Sequence, residues 1–188
     1  MAGPNVLVAY ASKHGTTREV AEFVARTLEH RGLTVEVEEA ARVSSIAQYD
    51  AVVVGGGLYM GRWHKDARRL LERHRRALAG APLAVFGMGP DVLEDSKVVE
   101  SRRQLDRALA AMPELTPVAV TVFGGALKPE TWRFPFSRLP AFDARDWDEI
   151  EEWAEEVAAS ISPRPATPSG RTSTAHVAPT RTSGCSSA

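Results

Sequence analysis

Short apolar runs alternate with longer amphipathic segments along this chain, which predicts strands that alternate with helices. Residues 6–10 and 51–54 are continuously apolar, as expected of central strands that are buried on both faces of a sheet. Residues 34–38 alternate polar and apolar side chains, which predicts an edge strand with one wet face. Two further apolar runs predict strands at residues 83–86 and 117–123.

Helical periodicity fills the segments between these strands. The first predicted helix ends near Gly32, a residue that suits a helix C-terminus. The last begins after Asp146, a good N-cap with Glu149 three residues on. The apolar stripes of the four helices are, in chain order, Val20, Phe23, Val24, Thr27 and Leu28; Ala67, Leu70, Leu71, His74 and Leu78; Val98, Leu105, Leu109 and Met112; and Trp147, Ile150, Trp153, Ala154, Val157 and Ile161.

Strands and helices in this order predict an α/β fold, with one open parallel sheet covered by helices on both faces. In such a sheet the ligand binds at the carboxyl ends of the strands, where the winding reverses. The loops after the first, third, fourth and fifth strands are therefore the predicted places of function.

The composition predicts one folded domain, residues 1–161, followed by a tail. Residues 162–188 consist mostly of Pro, Ser, Thr, Ala and Arg, with too few large apolar side chains to offset the entropy of ordering, so we predict that they are disordered. The formal net charge is -1, and three of the basic residues but no acidic ones lie in the tail. The domain is therefore mildly acidic, which argues against a nucleic-acid partner.

Several classes of site and location are excluded by what the sequence lacks. Cys185 is its single cysteine, so no internal disulfide or thiolate metal site is expected, and no His, Asp or Glu cluster has metal-ligand spacing. The N-terminal residues do not resemble a signal peptide, and no apolar run approaches the ~20 residues that cross a bilayer. We therefore expect a cytoplasmic protein.

The segment after the first predicted strand, residues 11–18, combines hydroxyl side chains, a glycine and the start of a helix. Ser12, Thr16 and Thr17 surround Gly15 there. A terminal phosphate can be held at such a place by hydroxyls, by free backbone N–H groups and by the positive end of the helix dipole. The alternative is ordinary helix capping by Ser12 or Thr16, which needs no ligand. The position of the loop, after a buried first strand, favours the phosphate site.

Three more glycine-rich loops are predicted at the same edge of the sheet. Residues 55–64 place three glycines before Tyr59 and Trp63, whose rings can flank a flat ligand or simply cover the edge of the sheet. Residues 87–90 and 123–129 repeat the glycine-rich pattern. Together these loops predict a shallow trough beside the phosphate site.

Other phosphate-binding and catalytic motifs are absent from these loops. The first loop holds no cysteine nucleophile and no Gly-Lys-Ser or Gly-Lys-Thr ending, and no Gly-x-Gly-x-x-Gly occurs in the chain. His14 and His64 lie in candidate loops, and we interpret both as hydrogen-bonding or packing residues rather than acid–base catalysts.

A basic segment, residues 62–76, carries seven Lys and Arg side chains against Asp66 and Glu72. One interpretation is a solvated helix face. The other is a site for an anionic partner, either a carboxylated substrate or acidic lipid head groups.

At these residues the sequence resembles the flavodoxin family. Residues 12–17 resemble its phosphate loop of hydroxyl residues around a glycine. Residues 55–64, with their aromatic–histidine pair, and residues 125–129 resemble in particular the branch that contains the menaquinone-dependent protoporphyrinogen IX dehydrogenases. Residues 145–148, together with Trp153, resemble the start of the last helix in that branch.

The resemblance covers residues 6–161 and implies a three-layer flavodoxin-like sandwich, with a five-stranded parallel sheet in the order 2-1-3-4-5. It implies one FMN bound without a covalent bond, its phosphate on residues 12–17 and its ring between residues 55–63 and 87–90. Because FMN carries the redox chemistry, no catalytic side chain is expected. The implied cofactor-binding residues are Ser12, Lys13, His14, Gly15, Thr16, Thr17, Gly56, Gly57, Leu58, Tyr59, Met60, Gly61, Trp63, Gly87, Met88, Gly89, Pro90, Gly124, Gly125 and Ala126.

The implied function is an FMN-dependent oxidoreductase of heme biosynthesis, acting on an anionic small molecule and passing electrons to a quinone or a redox protein. The resemblance also implies contact with the inner face of the membrane. Two departures, a nearly neutral charge and no stacking aromatic in residues 87–90, argue against a one-electron carrier. The segment 131–142 is shorter than its counterpart in membrane-associated members. Its four aromatics either pack over the last helix, which is the favoured interpretation, or touch a porphyrin, a quinone or a membrane. A carrier and a binding module without flavin remain as alternatives.

Overall fold

The computed structural model describes residues 3–89, 94–127 and 141–161. Eight strands and four helices follow each other along these segments. In chain order they are β1 (Asn5–Ala11), α1 (Thr16–His30), β2 (Thr34–Glu39), β3 (Ala51–Tyr59), β4 (Arg62–Trp63), α2 (Lys65–Leu78), β5 (Leu83–Met88), α3 (Asp95–Ala110), β6 (Ala119–Phe123), β7 (Ala126–Leu127), β8 (Phe142–Asp143) and α4 (Trp147–Ile161).

Five parallel strands form the central sheet, in the order β2-β1-β3-β5-β6. Counted without the short antiparallel strand β4, this is the predicted order 2-1-3-4-5, and the predicted α/β fold is confirmed. The winding reverses between β1 and β3, since the chain moves outward from β1 to β2 on one side and from β3 to β5 and β6 on the other. This reversal opens a crevice at the carboxyl ends of β1 and β3.

Alternate residues of the central strands face two separate hydrophobic layers. Val6 and Val8 of β1 belong to the layer under α1 and α4, whereas Leu7 and Ala9 belong to the layer under α2. All four side chains are at most 1% exposed. Burial on both faces is the reason that β1 reads as a continuous apolar run, because neither alternate position can be polar.

The predicted helix ends are confirmed. Gly32 follows α1 with φ +85°, and its N–H donates to the carbonyl of Glu29 at 2.9 Å, which closes the helix as a left-handed glycine does. At the start of α4, Oδ1 of Asp146 accepts from the N–H groups of Asp148 at 3.0 Å and Glu149 at 3.2 Å. These caps explain why the first helix ends, and the last helix begins, where the sequence predicts.

The prediction that the third strand ends before its three glycines is wrong. β3 continues through them to Tyr59, and Gly55 and Gly56 pair with Phe86 and Gly87 of β5. Gly87 is likewise part of a strand rather than of the loop in which it was predicted. The glycines therefore belong to the buried sheet.

Packing against aromatic rings is the physical reason for the glycines in β3. A Cβ atom on Gly55 would lie 2.0 Å from Cζ of Phe86, and one on Gly56 would lie 2.6 Å from Nε1 of Trp63. A Cβ on Gly57 would lie 2.4 Å from the ring of Tyr59. Each glycine leaves room for a ring, so backbone freedom at a turn is not what these positions require.

Candidate functional site

The predicted loops meet at one edge of the sheet. Ala11 at the end of β1 pairs with Gly56, and Gly57 pairs with Met88 at the end of β5. Met88 in turn pairs with Phe123 at the end of β6. Because the strands are parallel, the segments that follow β1, β3, β5 and β6 all leave the sheet on the same side, as predicted.

The first loop places the uncapped N-terminus of α1 at this edge. Gly15 precedes α1 in the left-handed conformation with φ 86°, and it offers no side chain to cap the helix. Oγ of Ser12 accepts the N–H of Gly15 itself, at 2.9 Å, so it does not cap the helix in the way that the alternative interpretation required. The first backbone N–H groups of α1 and its dipole therefore face the edge where a phosphate is predicted.

Thr17 adds an independent sign of a ligand at this helix start. Its side chain is fully buried, and its hydroxyl has no hydrogen-bond partner among the residues that the structure describes. Burying a hydroxyl without a partner costs about 1–3 kcal/mol. A phosphate oxygen in the loop would supply the acceptor, and Thr16, only 5% exposed, stands beside it.

A strained hairpin forms the second wall of the site. β3 and β4 pair through Leu58 with Trp63 and Tyr59 with Arg62, leaving Met60 and Gly61 as a two-residue turn. Both turn residues have positive φ, 49° for Met60 and 77° for Gly61. A left-handed conformation costs a non-glycine residue about 1–2 kcal/mol, and such strain clusters at functional sites. Met60 is fully exposed at the tip, where its flexible apolar side chain is free to cover a flat ligand.

Tyr59 joins this hairpin to the first loop. Nζ of Lys13 lies 5.0 Å from the centre of the Tyr59 ring, and the ring of His14 meets the same tyrosine edge-on at 6.3 Å. Burial raises the pKa of Tyr59, and its contact with the backbone N–H of Lys13 acts in the opposite direction. The half-buried ring thus holds the hairpin against the predicted phosphate loop.

Trp63 does not present its ring to the trough. It is 1% exposed and packs in the layer under α2, and its Nε1 donates to the carbonyl oxygen of Gly56 at 3.1 Å. For Trp63 the structure therefore supports the alternative interpretation, in which the aromatic side chain covers the sheet. Of the two predicted rings, Tyr59 alone stands next to the first loop.

His64 begins α2 as a neutral cap. Its Nδ1 accepts the N–H of Asp66 at 3.2 Å, and the side chain is buried. Burial lowers the pKa of His64, and Lys13 and Lys65 act in the same direction, whereas Asp66 and Glu39 oppose them. A protonated Nδ1 could not accept this hydrogen bond, so His64 acts as the hydrogen-bonding residue that the sequence predicts.

Replacing His64 by Asn tests this cap through its pH dependence. The folded-state pKa of His64 lies below its ordinary value of about 6.5, so the unfolded state binds the proton more readily. The free energy of unfolding therefore decreases as the pH falls below about 6.5. Asn caps a helix without titrating. Denaturant unfolding at about pH 7.5, 6 and 5 should show a shallower loss of stability in H64N than in the wild type. Equal slopes would contradict the assignment, since His14 and His74 titrate in both proteins.

The segments after β5 and β6 are held by close backbone contacts. A Cβ on Gly89 would lie 2.6 Å from Cγ1 of Val122, and one on Gly124 would lie 1.8 Å from the carbonyl oxygen of Ala144. Gly125 accepts the N–H of Ala144 at 2.9 Å, next to the short ribbon of β7 and β8. These contacts close the far side of the edge, where the sequence places Gly124 through Ala126.

Besides Trp63 and the buried glycines of the sheet, two more members of the predicted set are not part of the exposed edge that the structure describes. Met88 is 4% exposed and packs in the layer under α1 and α4, so its side chain is a core element. Pro90 lies outside the described residues, as do the predicted tail and the aromatic-rich segment 131–136.

Arg145 is a buried charge that the sequence did not single out as a site residue. Its side chain is 4% exposed and donates to Glu19 in the first turn of α1 at 2.8 Å and to Asp143 at 2.5 Å. The hydrogen bonds to Asp143, followed by those to Glu19, raise the pKa of Arg145 despite its burial. Its guanidinium therefore ties α1 to the chain before α4 and balances the carboxylate of Glu19 in the first turn of α1.

Residues 3–89, 94–127 and 141–161 show neither a metal site nor a helix that could span a membrane. They contain no group of His, Cys, Asp and Glu side chains that could hold a metal ion. None of their helices has the length and apolar character needed to cross a membrane. The expected location, partners and absence of nucleic-acid binding stay predictions.

Comparison with known proteins agrees with this architecture. Residues 7–135 match the family model of the flavodoxin domain. Protoporphyrinogen IX dehydrogenase [quinone] of Escherichia coli K12 is 22% identical over 170 residues, which cover 81% of this chain and 93% of that enzyme. Oxidised flavodoxin 2 from Bacillus cereus superposes with a TM-score of 0.58 at 22% identity, over 83% of this chain and 99% of that one. Flavodoxin 1 from the same organism gives 0.57 at 18% identity, over 84% and 99%.

Proposed function

This chain belongs to the flavodoxin domain family, and from that premise we propose that it is an FMN-binding oxidoreductase. One observation carries the proposal: at the start of α1, just after the first strand and its loop, an uncapped helix N-terminus coincides with a buried hydroxyl that has no partner among the described residues. Both features supply donors, and a phosphate monoester is an acceptor with several oxygens. The donor set therefore fits the phosphate of FMN.

Four segments would hold the cofactor. Residues 12–17 would bind the phosphate, with Ser12, Thr16 and Thr17 as the hydroxyl donors. Residues 59–61 of the hairpin and the chain that follows β5 would hold the ring on two sides, and residues 124–126 would close the far side. When bound, FMN supplies the redox chemistry by accepting hydride or single electrons.

The side chains of this site would position the cofactor and shield it from water, and they would not react themselves. Tyr59 and Met60 exclude water from the hairpin side, and Arg145 keeps Glu19 paired, so that its carboxylate does not oppose a phosphate at the start of α1. His64 is held neutral as a cap, and no side chain in the described edge is arranged as a nucleophile with its base.

We further propose that the protein acts as a dehydrogenase of the protoporphyrinogen IX type, with a quinone as electron acceptor. Support comes from the Escherichia coli protoporphyrinogen IX dehydrogenase [quinone], which aligns along 93% of its length with this chain at 22% identity. The four basic side chains beside the hairpin, Lys13, Arg62, Lys65 and Arg68, suit a carboxylated substrate better than they suit docking to a basic redox partner.

An anaerobic turnover assay tests this activity. FMN-loaded protein mixed with protoporphyrinogen IX and a menaquinone analogue should form fluorescent protoporphyrin faster than an equal concentration of free FMN does. Free FMN is the matched control, because uncatalysed oxidation gives the same product. A loaded protein that forms no porphyrin above this control, yet is reduced by a flavodoxin reductase, would replace the dehydrogenase with a carrier.

A further inference from the structure

A cation-lined pocket lies next to the proposed cofactor site, between the first loop and the start of α2. Its volume is about 300 Å3, and we call it the α2 pocket. Its lining residues are Lys13, Tyr59, Arg62, Trp63, His64, Lys65 and Arg68. No step of the proposed cofactor binding uses Arg62, Lys65 or Arg68.

The structure divides the basic segment of α2 into engaged and available side chains. Arg69 pairs with Asp66 at 3.6 Å, Arg75 pairs with Glu114 at 3.7 Å, and Arg73 donates to the carbonyl of Val43 at 3.1 Å. Arg73 and Arg75 thus hold α2 to its surroundings, whereas Arg69 is engaged within the helix itself. The solvated-face interpretation describes them better than it describes the residues of the α2 pocket.

The cations of the α2 pocket have no such partners. Within the part of the chain that the structure describes, neither Arg62, Lys65 nor Arg68 forms an ion pair. The carboxylates closest to His64 are Asp66, which pairs with Arg69, and Glu39, which pairs with Arg42 at 3.4 Å. Among the described residues, the positive charge around the pocket is therefore not balanced by nearby carboxylates.

Arg68, which lines the α2 pocket, has a hydrogen-bond donor that is not satisfied within the described structure. Its Nε is buried and has no hydrogen-bond acceptor among the described residues. A guanidinium N–H removed from water without an acceptor is costly, whereas a carboxylate accepts it in a charge-assisted and often bidentate hydrogen bond. The ring of Tyr59, which also lines the pocket, offers apolar surface, with Nζ of Lys13 at 5.0 Å from its centre.

We propose that the α2 pocket binds the anionic head of an organic anion, whose flat apolar body lies against the Tyr59 hairpin. Arg62 and Arg68 hold the head, and Lys13 and Lys65 supply further positive charge. In so far as this anion is the substrate, the inference rests on the proposed oxidoreductase function and places the carboxylate end of the substrate beside the hairpin. The binding itself does not depend on that identity.

A matched pair of ligands and a matched pair of variants test the pocket. The ligands are 8-anilinonaphthalene-1-sulfonate and N-phenyl-1-naphthylamine, which differ by the sulfonate group, titrated by calorimetry into protein incubated with excess FMN. The variants are R62Q/R68Q, which changes the pocket, and R76Q/R103Q, which removes the same charge from exposed helix positions elsewhere. Affinity for FMN is measured on all three proteins.

The expected result is a loss of sulfonate affinity of about tenfold or more in R62Q/R68Q, with no change in R76Q/R103Q. The uncharged ligand should bind all three proteins alike, and FMN affinity should be unchanged. The sulfonate affinity and the FMN affinity are measured separately. An absence of FMN binding would therefore overturn the proposed function, whereas the sulfonate affinities alone test the α2 pocket.

Four results would overturn the pocket itself. They are an absence of saturable sulfonate binding by the wild type, equal sulfonate affinities in the two variants, equally tight binding of the uncharged ligand, and a joint loss of FMN and sulfonate affinity in R62Q/R68Q. The last would make the pocket part of the cofactor site. The second result, combined with loss of binding to phosphatidylserine vesicles in R62Q/R68Q alone, would assign these arginines to a lipid surface instead.

Discussion

Replacing Thr17 by Val is expected to weaken FMN binding by about tenfold to a hundredfold, while the protein without FMN stays at least as stable as the wild type. The two effects separate because the Thr17 hydroxyl is buried without a partner in the described structure. Val keeps the shape of Thr and removes a group that is costly to bury, so the free energy of unfolding should not fall. A hydrogen bond to a charged acceptor contributes about 1.5–3 kcal/mol, and its loss accounts for the weaker binding.

Thr27 supplies the control for this experiment, because it lies in the same helix and is also buried. Its hydroxyl donates to the carbonyl of Phe23 at 3.3 Å, away from the start of α1. T27V should bind FMN as the wild type does and lose a little stability. FMN titration and denaturant unfolding of both variants check the pair. If T17V bound FMN with wild-type affinity, the phosphate would not lie on this loop.

Replacing Gly55 by Ala is expected to destabilise the protein by about 3 kcal/mol or more, which corresponds to a fall in Tm of about 6–12 °C. The new Cβ would lie 2.0 Å from Cζ of Phe86 and 2.5 Å from both of its Cε atoms. Phe86 is fully buried, and its ring packs against Phe123 at 5.7 Å and Trp153 at 5.8 Å, so it has no free direction in which to move.

Gly80, just after α2, gives the matched Gly→Ala control. A Cβ there would find its nearest neighbour, the carbonyl oxygen of Ala77, at an ordinary 3.8 Å. G80A should therefore stay within about 0.5 kcal/mol of the wild type. Thermal unfolding of both variants measures the difference. A G55A protein as stable as G80A would show that β3 does not run beside Phe86.

The fold could be predicted from the sequence because its signals are local. Continuous apolar runs identified β1 and the first four residues of β3, and the alternating run identified β2 as an edge strand. Gly32 and Asp146 marked helix ends through chemistry that involves only their near neighbours in the chain. Such signals need no knowledge of what packs on the opposite side of the sheet.

The extent of β3 could not be predicted because the reason for its glycines is distant in sequence. A glycine suits a turn, and it equally suits a strand position where a ring leaves no room for a side chain. Phe86 and Trp63 decide between these readings, and their contacts with Gly55 and Gly56 exist only in the folded chain. For the same reason Trp63, predicted beside a ligand, lies in the core.

The meeting of the loops at one edge of the sheet was predicted, but the particular signals of the candidate site came from the structure. The sequence placed hydroxyl side chains at the start of α1, yet it could not distinguish a capping residue from an unpartnered one. The absence of a side-chain cap at Gly15 and the buried hydroxyl of Thr17 make that distinction. The division of the basic segment, and the burial of Arg145 between Glu19 and Asp143, likewise depend on packing between distant elements.

FMN binding is tested most directly by the absorbance spectrum of the full chain after incubation with excess FMN and removal of the unbound flavin by gel filtration. We expect a yellow protein with about one FMN per chain, a flavin spectrum shifted from that of free FMN, and weaker retention in T17V than in T27V. A colourless wild-type protein with no flavin uptake, folded as judged by cooperative unfolding, would contradict this expectation.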